Sequence, residues 1–186
     1  MGRVLNFTFA LILLILLIVP IALIYVLIKL LTKSPPIYWS KRIGKNNVTF
    51  EMPKFRSMKV ETPQVASHLL NDSRIFLTPI GRFIRRTSLD ELPQLFSIIK
   101  GDMGFVGPRP ALFNQNDLIA LRTKSGVHKL LPGITGLAQI RGRDALSLNE
   151  KVDLDIEYLN QRSFFLDLKI LLLTFNKVLS KEGVSH

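Results

Sequence analysis

Two adjacent carboxylates, Asp90 and Glu91, stand in the stretch RRTSLDELPQLFSIIKGDMGFVGPRP, which runs from Arg85 to Pro110. They lie between arginines and ahead of a Gly- and Pro-rich turn. Paired carboxylates beside cations suit Mg²⁺ and phosphate chemistry. A carboxylate that attacks phosphorus must overcome repulsion between anions, and arginine or Mg²⁺ supplies the offsetting charge. Arg85, Arg86, Arg109, Arg141 and Arg143 are the candidates. In Gly107-Pro108-Arg109-Pro110 the two prolines would fix the arginine between them on a stiff turn, a suitable device for bidentate phosphate contact.

The same residues admit a purely structural reading. Ser88-Leu89-Asp90-Glu91 is an S-x-x-E capping box, in which Ser88 caps a helix and Glu91 reaches back. Asp90 would then complement the helix dipole. Pro93 favours a slightly later start, with Asp90 itself as the cap. Lys54 and Arg56, in KFRSM, share one strand face by their spacing and would bind a diphosphate or lipid headgroups, or else form a solvated basic edge. Thr135, Gly136 and Gln139 sit in a Gly-bounded stretch that would touch a nucleotide or sugar, or simply connect elements.

The elements that position these residues begin with an apolar segment. Val4 to Ile28 carries no charge and is long enough to cross a hydrocarbon core of roughly 30 Å. Pro20 interrupts it and predicts a kink. One topology is a spanning helix. The other breaks at Pro20, enters one leaflet and returns to the same face. Arg3 on one side and Lys29, Lys33, Lys41 and Arg42 on the other place positive charge at both ends, which favours re-entry. A hairpin is predicted within Ile37–Phe50, turning at Gly44 to Asn47. Helices are expected over Pro79–Arg86, Leu92–Lys100, Ala111–Lys129 and Leu146–Asn160. The run Phe164–Leu179 is an apolar, interfacial or core-packed helix. The Gly104–Pro110 and Pro132–Gly142 stretches read as irregular loop.

Composition narrows the partners. The 186 residues carry a formal net charge of +11 and no cysteine. Disulfides and thiolate metal sites are therefore excluded. The positive balance calls for an anionic partner. The basic residues are dispersed and flank apolar segments, and no nucleic-acid-binding signature occurs, so anionic membrane lipids are expected and nucleic acid is not. The absence of a G-x-x-x-x-G-K-[ST] loop argues against a P-loop NTPase.

The chain resembles the bacterial sugar transferases that load polyprenol phosphate, the monotopic phosphoglycosyl transferases. The resemblance rests on KFRSM (Lys54–Met58), SLDELPQL (Ser88–Leu95), KGDMGFVGPRP (Lys100–Pro110), PGITGLAQIRGR (Pro132–Arg143) and DLKILLLT (Asp167–Thr174), which occur in family order. Its short length is similar to that of the diacetylbacillosamine-phosphate transferases. The resemblance implies transfer of a sugar-1-phosphate from a UDP-sugar to undecaprenyl phosphate, with release of UMP. It implies Asp90 as the nucleophile of a covalent phosphosugar intermediate, Glu91 as its partner, Mg²⁺ as cofactor, and Arg85 and Arg109 as phosphate ligands. It also implies a re-entrant membrane helix broken at Pro20. Leu137 stands where many members have Trp, and Arg3 is followed by Asn6 where many begin basic-x-x-x-Asp.

The expectation is a mainly helical α+β protein. A re-entrant membrane helix over 1–33 carries a catalytic domain over 34–186, with a small β-hairpin and interfacial amphipathic helices. It would act at the cytoplasmic face of the bacterial inner membrane. Asp90 and Glu91 are the catalytic and metal-binding candidates. Lys54, Arg56, Arg85, Arg109, Thr135, Gln139 and Arg141 are the substrate-binding candidates. A basic membrane scaffold and another lipid-phosphate enzyme, such as a phosphatase, are the rival readings.

Overall fold

The computed structural model describes residues 1–32, 34–63, 73–142 and 145–180. Lys33 and Arg143 lie outside the described residues. Among the described residues the chain is mainly helical, with two small sheets.

Helix α1, Arg3–Leu31, runs as one 29-residue element with Pro20 inside it. At 1.5 Å per residue it is about 43 Å long, more than a hydrocarbon core requires. One stripe of α1 packs on the rest of the protein along its length. Its first half contributes Ala10, Leu13, Leu14 and Leu17 to a core with Ile98, Met103, Phe105 and Ile170. Its second half contributes Ile21, Ile24 and Ile28 to a second core with Phe55 and Ile84. The remaining faces expose Ile15, Leu16, Val19, Leu23 and Leu30, among others. A contiguous apolar surface of that kind marks contact with lipid or protein.

Polar contacts fasten the start of α1. The Arg3 guanidinium donates to the Ile98 and Ile99 carbonyls, each at 2.6 Å. Asn6 is buried and its Oδ1 accepts from the Phe105 amide at 3.0 Å. The carbonyls that Arg3 meets lie in the last turn of the Gln94–Lys100 helix, where a cation complements the helix dipole.

Strands β1 (Ile37–Ile43) and β2 (Thr49–Phe55) form the hairpin, antiparallel, with Ser40 opposite Met52 and Tyr38 opposite Lys54. The turn falls where expected. Asn46 and Asn47 take left-handed φ values of 55° and 60°, a conformation asparagine tolerates better than most residues. Next come α2 (Gly81–Arg86) and α3 (Gln94–Lys100), the latter ended by Gly101 at φ 100°.

Two short strands correct the expected loops. β3 (Gly104–Val106) pairs in parallel with β4 (Gly133–Thr135). Gly107 and Gly133 permit the approach, since a Cβ on Gly107 would stand 2.3 Å from the Leu131 carbonyl and one on Gly133 2.2 Å from the Gly107 amide. Helix α4 (Asn116–Lys124) is shorter than the expected Ala111–Lys129 span, and a separate 3₁₀ turn covers Val127–Lys129. Helix α5 (Leu137–Arg141) occupies the other expected loop.

Helix α6 (Leu148–Gln161) opens on a true capping box. The Glu150 amide donates to Ser147 Oγ, and Glu150 returns to the Ser147 amide. Helix α7 (Phe164–Ser180) places Ile170 in the core, yet it also buries an acidic residue and exposes several large apolar ones. Asp167 is buried, accepting from the Tyr158 hydroxyl at 2.7 Å and from the Met1 amino group. Phe165, Leu172 and Phe175 are exposed at 80%, 59% and 63%.

Candidate active site

The carboxylate pair is built by a strained turn. Helix α2 ends at Arg86, and Ser88 then takes φ 55°, ψ 16°. A non-glycine residue in this region carries about 1–3 kcal/mol of strain, and such strain clusters at functional positions. The Ser88 side chain makes no capping bond. The capping-box reading of Ser88 and Glu91 is therefore wrong. Glu91 turns instead toward two cations. Asp90 and Glu91 lie on a single 3₁₀ turn, Leu89–Glu91, and α3 starts only after Pro93.

Leu89 and Leu92 bracket the pair and pack on the core formed by Ile24, Ile28, Phe55 and Ile84. The carboxylates are thus flanked by side chains of the core to which the second half of the apolar helix α1 contributes.

The hairpin delivers the first cation. Residues paired across antiparallel strands point to one face, so Tyr38, Ser40 and Arg42 share a side with Phe50, Met52 and Lys54. Lys54 Nζ reaches Glu91 Oε1 at 3.2 Å and is 15% exposed. Arg56 is held one step further out, by the Pro35 carbonyl at 2.8 Å and the Tyr38 ring.

The Pro-Arg-Pro turn delivers the second. Arg109 Nη2 donates to the same Glu91 Oε1 at 2.6 Å. Two guanidiniums hold that turn by its backbone. Arg42 Nη1 donates to the Pro110 carbonyl at 3.1 Å, and Arg122 Nη1 to the Arg109 carbonyl at 2.8 Å. Arg42, read from the sequence as a membrane-flanking charge, is a site residue by position. Local pattern gives no hint of this, because its partner is 68 residues away.

The three arginines of α2 divide. Arg82 and Arg86 are exposed. Arg85 is half-buried, donates to Met58 Sδ at 3.1 Å and favours ionisation of Asp90.

These charges perturb one another. Burial pushes the Asp90 carboxyl above its usual range, with Glu91 adding to the shift and Lys54, Arg85 and Arg109 opposing it. Burial pulls the Lys54 ammonium down to about 8, against the attraction of Glu91. Burial, with Arg109 close by, lowers Arg42 to about 10. Asp90 is thus a partly shielded carboxylate faced by cations, the kind of environment that perturbs ionisation at functional sites.

Among the described residues, no hydrogen bond occupies the Asp90 carboxylate. Its oxygens are available to a hard cation. No group of three or more His, Asp or Glu side chains gathers among the described residues. That donor set fits Mg²⁺, which uses one or two carboxylates and fills its octahedron with water and substrate phosphate.

Helix α5 and strand β4 hold the other candidates. Thr135 is buried and its Oγ1 lies 2.7 Å from Thr174 Oγ1 on α7. The Gln139 amide is buried without a partner among the described residues. Arg141 forms a two-bond ion pair with Glu157 on α6, both at 2.8 Å. No hydrogen bond or ion pair among the described residues joins Thr135, Gln139 or Arg141 to the carboxylate pair.

The family model of the bacterial sugar transferases matches residues 1–181 of this chain. The chain belongs to the bacterial sugar transferase family. It is 44% identical over 161 residues to the uncharacterized sugar transferase EpsL of Bacillus subtilis, covering 86% of this chain and 77% of that protein. It is 40% identical over 164 residues to the galactosyl transferase CpsE of Streptococcus agalactiae, covering 81% of this chain. It is 41% identical over 159 residues to the UDP-glucose:undecaprenyl-phosphate glucose-1-phosphate transferase of Escherichia coli, again covering 81%. The chain spans 36% and 34% of the lengths of these last two sugar transferases.

Proposed function

We propose that this sugar transferase moves a sugar-1-phosphate from a UDP-sugar to undecaprenyl phosphate at a bilayer surface, through a covalent intermediate on Asp90. One observation carries the reading. A half-buried carboxylate pair ringed by Lys54, Arg85 and Arg109 is flanked by Leu89 and Leu92, which pack against a core that an apolar helix of membrane length helps to form. The relatives' names supply the substrates: two act, by name, on undecaprenyl phosphate, with glucose-1-phosphate as the group moved.

An Asp90 oxygen attacks the sugar-bearing phosphorus of the donor. The bond from that phosphorus to the bridging diphosphate oxygen breaks, and UMP leaves with the electron pair. A phosphate oxygen of undecaprenyl phosphate then attacks the same phosphorus and restores the carboxylate. Arg109 and Arg85 bind the phosphoryl oxygens, and Lys54 adds charge from the hairpin. Glu91 orients Lys54 and Arg109 through one oxygen. Asp90 and Glu91 would hold Mg²⁺, which screens the diphosphate and stabilises its departing oxygen. Splitting the transfer into two displacements spares the site from binding two large anions together. The test is UMP release with Mg²⁺, undecaprenyl phosphate and a panel of UDP-sugars. The expected result is release with at least one donor, and release of free phosphate from the lipid instead would point to a phosphatase.

Lys54 gives the reaction a pH signature. The ammonium is charged below about 8 and loses its charge as pH rises through that value. The pH profile of kcat/KM reports groups of the free enzyme. An alkaline limb near that value is expected in the wild type, and Lys54→Arg should move it out of range. A limb that stays in place in Lys54→Arg would assign it elsewhere.

The topology belongs to the same proposal. The protein is held to the cytoplasmic face as a monotopic unit, with residues 1–33 entering and leaving one leaflet and bending at Pro20. Support comes from the two ends of α1, since Arg3 and Asn6 at one end and Ile24 and Ile28 at the other are fastened to the same domain. The chain has no cysteine, so Gly2→Cys introduces a unique probe. The thiol should react with a membrane-impermeant reagent only after the membrane is opened. Labelling of intact cells from outside would establish a spanning helix.

A further inference from the structure

Arg122 and Asp155 form an ion pair that the transfer chemistry does not use. Arg122 lies on α4 and Asp155 on α6, and they are 11% and 3% exposed. Arg122 Nε and Nη2 both donate to Asp155 Oδ2, at 2.9 and 2.7 Å. Its remaining nitrogen, Nη1, donates to the Arg109 carbonyl at 2.8 Å. Burying two charges is costly, and an apolar pair of similar volume often gives equal or greater stability. Stability alone is therefore a weak reason for this pair.

Its geometry offers a stronger one. Arg109 must offer its guanidinium at a fixed place, 2.6 Å from Glu91. Its own backbone is clamped by Arg122, while the following residues are stitched to β1 by the Ile43 amide on the Ala111 carbonyl and by an antiparallel bridge between Arg42 and Leu112. On the reading that Arg109 binds donor phosphate, we infer that Arg122 and Asp155 are positioning residues, which set where the Arg109 guanidinium stands by fixing its carbonyl. An error of about 1 Å in a group that acts on the reacting atoms can cost on the order of 10²-fold in rate.

The test removes both charges together, as Arg122→Met with Asp155→Leu, so that neither is left buried alone. Arg122→Lys serves as a second variant that keeps the charge but has too few donors in the right plane to hold carboxylate and carbonyl together. The double variant should fold with a Tm close to the wild type. UMP formation should fall by about 10- to 100-fold. In an Arg109→Ala background, the same double substitution should change the rate less than about twofold, because residues acting through Arg109 have nothing left to position. A full loss repeated in that background would overturn the inference, as would an unchanged rate in the wild-type background. A readout independent of activity separates this claim from the function itself. Amide exchange over residues 109–113 should quicken in the double variant while the β1–β2 hairpin keeps its protection. Unaltered exchange over 109–113 would end the positioning claim even if UMP release is robust. Altered exchange in a protein that releases no UMP from any donor would leave the clamp standing and remove the transferase reading.

Discussion

Asp90→Asn is expected to reduce turnover by more than about 10⁴-fold, the scale seen when a covalent nucleophile is removed. The amide is nearly isosteric, so Leu89 and Leu92 keep their place against the core of Ile24, Ile28, Phe55 and Ile84, and membrane association should persist. Stability should hold or rise. Burial already disfavours the Asp90 anion, and the amide carries no charge to desolvate. The pairing of intact fold with lost rate distinguishes the nucleophile from a structural acid. A membrane scaffold would tolerate the change, and turnover within tenfold of the wild type would refute the assignment. Initial rates and thermal melts on the same preparation decide it.

Glu91→Gln should lower the rate by about 10²- to 10³-fold, comparable to the loss of a preorganised electrostatic contact. This variant should also lose stability. Glu91 Oε1 is the shared acceptor of Lys54 and Arg109, and all three side chains are largely shielded, at 15%, 30% and 14% exposure for Lys54, Arg109 and Glu91. Without the carboxylate, two cations remain close together with less to hold them. Residual activity should need more Mg²⁺ if Glu91 helps to hold the ion. A variant with wild-type rate and wild-type Mg²⁺ dependence would remove Glu91 from both roles. Asp90→Asn and Glu91→Gln thus separate in their melts, the first stable and inactive, the second weakened in both respects.

Much of the fold is legible from local pattern because it is locally determined. Asn46 and Asn47 announce the hairpin turn, and Gly101 announces the end of α3. The apolar run announces α1 by composition alone. The β3–β4 ladder is different. Its strands are three residues each, and their pairing depends on Gly107 and Gly133 letting backbones meet across the chain. No periodicity can appear in so short a segment. The S-x-x-E pattern shows the converse failure. It occurs at Ser88 and Glu91, where tertiary charges from Lys54 and Arg109 claim the glutamate, and again at Ser147 and Glu150, where nothing competes and the box forms.

Legibility within the site follows the same division. Lys54, Arg85 and Arg109 stand out by type and by the stiffness of their surroundings, and the structure sets Lys54 and Arg109 on Glu91. Arg42, Arg122 and Asp155 do not stand out. Each acts on backbone carbonyls or on a partner far along the chain, and a carbonyl leaves no trace in residue type. Arg141 has the right type and a suggestive loop, yet Glu157 on α6 takes its guanidinium.

The most direct measurement is a single-turnover assay with enzyme in excess over a UDP-sugar, with Mg²⁺ and no undecaprenyl phosphate. UMP should form in an amount stoichiometric with the donor, and the protein should gain the mass of the phosphosugar on the peptide holding Asp90. Asp90→Asn should do neither. UMP that forms only when donor and lipid acceptor are both present, with no mass gain on the protein, would mean direct transfer between substrates and would contradict the covalent account.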